Sequence, residues 1–143
     1  MIRRALVLLP VLLMAAASIA RAQASCAALA SLKMPTTTIT SATRVPEGPG
    51  GPAGPGPAAG RGVVPARCEV RGVIRPTRDS EIKFALWLPA AGWNGNYRQQ
   101  GNGGWAGSIN TAGLAEPVRR GYAAAATDNG HEGGGANWAI GHP

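Results

Sequence analysis

The sequence predicts an α/β fold in which two antiparallel strands come first, followed by a strand, a glycine-rich loop, a helix and a further strand. Three observations carry that expectation. Cys68 to Ile74 and Ile82 to Leu88 each alternate in character with a period of two. Gly101, Gly103, Gly104 and Gly107 crowd between a short polar run and a helical pattern. The alanine run Tyr122 to Ala126 is bracketed by Gly121 and the turn Asp128-Asn129-Gly130, which leaves it too short for a stable helix.

The chain has 143 residues, one domain at most, and its 45% apolar share is that of a globular protein. With Gly 21 and Pro 12, much of it is turn or loop. The first stretch has the layout of a secretory signal peptide: Arg3 and Arg4, an apolar run from Ala5 to Ala17, then small residues that place cleavage after Ala22 or Ala24. That run is shorter than the roughly 20 residues a membrane span needs. Gln23, Ala24 and Ser25 before Cys26 do not form a leucine-led lipidation site. Export to the periplasm or the medium is therefore expected, with no membrane attachment after cleavage.

Removing the leader after Ala22 lowers the net charge from +7 to +4. The remaining positive charge at Arg61, Arg67, Arg71, Arg75 and Arg78 suits a solvated face. Basic residues interleaved with aromatics, or a known binding module, would be needed for a nucleic-acid partner, and neither is present. In an oxidising compartment Cys26 and Cys68 are expected to pair. That bond would close a loop of about 40 residues, worth roughly 3 to 4 kcal/mol in the chain-entropy account. Two cysteines do not make a structural zinc site.

Residues 23–66 form an N-terminal tail that includes a Gly/Pro-rich loop at 48–60, whose triplets lose collagen register at Pro57. Residues 67–143 form the α/β body. Its hairpin runs Cys68 to Ile74, a turn around Arg78-Asp79-Ser80, then Ile82 to Leu88. Tyr97 to Gln100 is a short strand, and Ile109 to Arg120 is a helix capped by Asn110 or Ser108 and stopped by Gly121. Pro117 either kinks that helix or confines it to shorter pieces. Tyr122 to Ala126 is a buried strand, parallel to the one before the crossover.

In such a unit the loop lies where open sheets place their ligands. Glycine amides before a helix are suited to a phosphate or to the oxyanion of an acyl-transfer transition state. No lysine follows these glycines as in a Walker loop. Gly101, Gly103 and Ala106 formally satisfy a dinucleotide fingerprint, but antiparallel strands precede the loop and no acidic residue ends the next strand before Asp128. Asp128 and His131 lack a third partner for a triad or a metal and are expected to order the turn after the last strand. Trp105 is a weak candidate for lining a substrate pocket. Trp87, Trp93 and Trp138 are expected to be core or loop anchors.

The ordered blocks WNGNYRQQGNGGWAGSI, LAEPVRRGYAAAATDNGH and WAIGHP, with ITSATRVPEG and PARCEVRG before them, resemble the N-terminal part of the tannase and feruloyl esterase family of secreted α/β hydrolases. The resemblance runs from about Cys26 to Pro143. It implies a carboxylic ester hydrolase for small aromatic esters, with a Ser, His and Asp triad and a lid domain that often holds calcium. No G-x-S-x-G elbow occurs in these 143 residues, and neither triad nor lid is recognisable. The expectation is thus an incomplete N-terminal part of an α/β-hydrolase fold, inactive alone and without a cofactor of its own; a small exported binding or structural module is the alternative. With Cys68 to Ile74, Ile82 to Leu88 and Tyr97 to Gln100 as the first three strands, the glycine loop takes the place of the oxyanion loop, and the amide of Gly103 or Gly104 is the candidate donor.

Overall fold

The computed structural model describes residues 26–49 and 62–141. The leader at 1–22, most of the Gly/Pro-rich loop, Arg61 and the final His142 and Pro143 lie outside the described residues.

The main sheet has five strands: β1 (Thr37–Val45), β4 (Arg67–Ile74), β5 (Ile82–Pro89), β6 (Tyr97–Gln100) and β8 (Ala123–Thr127). Two-residue strands pair outside it, β2 (Gly48–Pro49) with β3 (Val63–Val64), and β7 (Ala106–Gly107) with β9 (Gly133–Gly134). The main order is β1-β4-β5-β8-β6. The pairs β1–β4, β4–β5 and β5–β8 are antiparallel, whereas β6 and β8 run parallel. The expected hairpin and the expected crossover are both present. β1 was not foreseen: its TTITSATRV is β-branched but only loosely alternating, and a register shift between Ile39 and Ser41 breaks its period.

Period two sorts the side chains onto two faces. Ala85, Trp87, Ala124 and Ala126 pack under Leu114, Ala115 and Val118, with Val64 completing the layer. The opposite face carries Val70, Phe84, Leu86 and Leu88, joined by Ile39, Leu29 and the Cys26–Cys68 disulfide. An apolar groove of about 350 Å³ opens on this second face between Leu29, Met34, Ile39, Phe84, Leu86 and Tyr97.

The connection from β6 to β8 is two short pieces, a 3₁₀ turn at Thr111–Leu114 and a helix at Ala115–Arg119. Pro117 explains the division. It occupies the first turn of the helix, where a backbone N–H has no intrahelical acceptor, and an α-helix begun at Ile109 would have required that N–H. Of the two cap candidates, Asn110 is the one that serves, accepting from the Gly113 N–H at 3.3 Å. Gly121 ends the helix at φ +80, and a Cβ there would come within 2.7 Å of the Gly92 carbonyl oxygen.

One expected surface residue is internal. Arg67 is 6% exposed, bonds Glu69 at 2.6 Å and lies 4.1 Å over the Trp87 ring. Its position beside Cys68, at the start of a central strand, puts it against that indole rather than in water. Arg71, Arg75 and Arg78 are exposed as expected.

Candidate functional site

β6 ends at Gln100, and the chain then crosses the carboxyl end of the parallel pair as the loop 101–107. β8 ends at the same edge, so the turn following Thr127 faces that loop. Side chains join the two. Asn102 Nδ2 donates to the Thr127 carbonyl at 2.9 Å, and His131 Nε2 lies 3.0 Å from the Trp105 carbonyl oxygen. β7 pairs with β9, and the Gly135 N–H also reaches the Trp105 carbonyl at 3.4 Å. Gly107 passes so close to His131 that a Cβ would run into the His131 carbonyl.

Gly103 and Gly104 form the exposed tip between these links. Gly104 adopts φ +58, and the Gly103 carbonyl accepts from Ala106 at 3.3 Å. Among the described residues neither the Gly103 nor the Gly104 N–H donates to a protein acceptor. No Cβ contact within 4 Å limits either position.

The turn after β8 is ordered by Asp128, as expected. Its Oδ1 accepts from the Lys83 and Gly130 N–H groups, both at 2.9 Å, while its carbonyl accepts from the His131 N–H at 3.4 Å. His131 stacks on Trp138 with 4.4 Å between ring centroids and 14° between planes. Next to it, Glu132 meets Lys83 at 2.5 Å; that hydrogen bond and the accompanying charge attraction hold the carboxyl below and the ammonium above their ordinary values.

Trp105 and Trp93 are exposed, and the Trp93 indole N–H anchors its own loop on the Asn96 carbonyl at 2.9 Å. Trp87 is core and Ser108 is exposed. The GNGG pattern pointed to the loop, but nothing in it disclosed that Asn102 and His131 secure the loop from either side. Both are polar residues whose partners are main-chain carbonyls, and such partners leave no spacing signature. Among the described residues no three His, Cys, Asp or Glu side chains come together to hold a metal. None of the described helices is long and apolar enough to cross a membrane.

The sequence model of the tannase and feruloyl esterase family matches residues 68–142. An esterase of Xanthomonas campestris pv. campestris is 48% identical over 130 residues, covering 87% of this chain and 21% of the relative. A probable feruloyl esterase B-1 of Aspergillus terreus is 34% identical over 76 residues, covering 53% and 14%. The crystal structure of feruloyl esterase B from Aspergillus oryzae superposes with a TM-score of 0.67 at 26% identity, covering 81% of this chain and 23% of that one. The chain thus spans about a fifth of the length of these esterases. Its mixed sheet with few helices agrees with an α/β-hydrolase-like fold.

Proposed function

This chain belongs to the tannase and feruloyl esterase family, and on that premise we propose that it forms the first strands and the oxyanion loop of a carboxylic ester hydrolase for aromatic or phenolic esters. The observation that carries the proposal is the pair of unbonded amides at Gly103 and Gly104, held at the carboxyl end of β6. When a nucleophile adds to an ester carbonyl carbon, the carbonyl oxygen takes up the negative charge, and it is relieved when the C–O bond to the leaving alcohol breaks. Amides fixed in advance at that oxygen lower the barrier without reorganising. Trp105 offers an apolar surface beside them for the aromatic acyl group. Nucleophile, base and acid lie outside these 143 residues in this proposal, as does any calcium of a lid.

Export is part of the same proposal, supported by the leader-like first residues and the Cys26–Cys68 disulfide.

The test is a chromogenic aromatic ester offered to the 143-residue chain and to a hybrid in which it replaces the matching segment of the Xanthomonas esterase. The chain alone is expected to give no turnover above blank, and the hybrid to hydrolyse the ester. Gly103→Pro in the hybrid, which removes that backbone N–H, should lower kcat toward the roughly 10²-fold loss that follows removal of one oxyanion donor, with a smaller change in KM. Turnover by the chain alone, or an unchanged kcat in the hybrid variant, would overturn the proposal.

A further inference from the structure

A loop of glycines is a poor holder of anything, because each glycine is free to leave the conformation that aims its amide. Here the two exposed amides sit between two side-chain ties, with Asn102 immediately before Gly103 and Trp105 immediately after Gly104. Asn102 Nδ2 donates to the Thr127 carbonyl at 2.9 Å, and His131 Nε2 faces the Trp105 carbonyl at 3.0 Å. Both ties end on one short segment, residues 127–131, which Asp128 locks through its bonds to the Lys83 and Gly130 amides.

The chemistry of the His131 ring fixes its role. A carbonyl oxygen only accepts, so Nε2 carries the proton. Nδ1 is buried with no hydrogen-bond partner, so the ring's polar function resides wholly in Nε2. Stacking on Trp138 holds the ring plane. Both ties end on main-chain carbonyl oxygens.

We propose that Asn102 and His131 are positioning residues, a two-point brace from the turn after β8 that holds the Gly103 and Gly104 amides in one orientation. This rests on the oxyanion role proposed above for those amides, but the brace itself is testable without catalysis. Alanine variants would remove packing as well as hydrogen bonds, so the informative changes are Asn102→Asp, which keeps shape and loses the donor, and His131→Phe, which keeps the stack and loses Nε2–H. His131→Gln restores a terminal N–H and serves as the rescue.

The measurement is ¹⁵N relaxation on the full 143-residue chain, with the Ala124 to Ala126 amides of β8 as the internal reference. Gly103 and Gly104 should show order parameters near the ~0.85 of rigid backbone in the native chain and fall toward ~0.6 or below in Asn102→Asp and His131→Phe, with recovery in His131→Gln. Imidazole ¹⁵N shifts should report the Nε2–H tautomer of His131. Glycine amides as mobile in the native chain as in the variants, or unaltered by both substitutions, would overturn the brace, and a dominant Nδ1–H tautomer would overturn the His131 half. If the variants loosen the loop while turnover of the hybrid carrying them stays unchanged, the brace is supported and the oxyanion role is overturned.

Discussion

Arg67 stands in the interior with its guanidinium bonded to Glu69 and laid on the face of Trp87. Removing only the cation leaves a half-buried carboxylate without its partner, so Arg67→Ala should cost about 3 kcal/mol of stability, read from urea unfolding midpoints. Replacing the pair together, Arg67→Met with Glu69→Leu, should recover most of that loss. Lysine is not an adequate substitute, because it cannot bond through two nitrogens and lie flat on the ring at once. The Lys83–Glu132 pair behaves differently, being largely exposed. The Glu132 pKa is lowered in the folded chain, so its stabilisation is present above the ordinary glutamate range and lost as pH falls through the folded value. Melting temperatures of native and Glu132→Gln chains should therefore converge on acidification. The sequence named Asp128 as the residue that orders its turn, since Asp-Asn-Gly declares a turn locally. It could not declare Arg67 internal, because that depends on which ring lies across the sheet.

At the scale of elements, β4, β5, β6 and β8 were legible because alternation, turn residues and bracketing glycines are local signals. The boundaries differ by a residue at most. β1 was not, since its bulge breaks the alternation that would have announced it. The crossover connection was legible in kind and not in length. Pro117 announced trouble in the helix, and the structure resolves it by starting the helix late enough for the proline to fall in its first turn. Gly121 closes the helix with a left-handed residue packed against the Gly92 carbonyl. Gly121→Ala should cost about 1 to 2 kcal/mol through the unfavourable φ alone, more with the close contact, and thermal unfolding would show it. The glycine loop itself was found from composition, whereas its two anchors required the spatial meeting of β6 and β8.

For the whole molecule, the sheet has one face under the Thr111–Arg119 segment and another with an apolar groove. Among the described residues its edge strands are β1 and β6. An apolar groove and edges unpaired among the described residues invite self-association. The purified chain should bind a hydrophobic dye and aggregate with concentration, as measured by fluorescence and light scattering. A strictly monomeric chain with no dye signal would contradict this. Family membership was visible in the spaced blocks, two of which carry Gly103, Gly107 and Asp128, residues that now meet at one end of the sheet.

The bond between Cys26 and Cys68 also makes a covalent ring of everything between them. A protease that cut once between Pro49 and Gly62 would open this ring without releasing a piece, since β1 would stay both sulfur-linked and zipped along β4. On a gel, such a nicked chain should run as one band until a reductant is added, and as two afterwards.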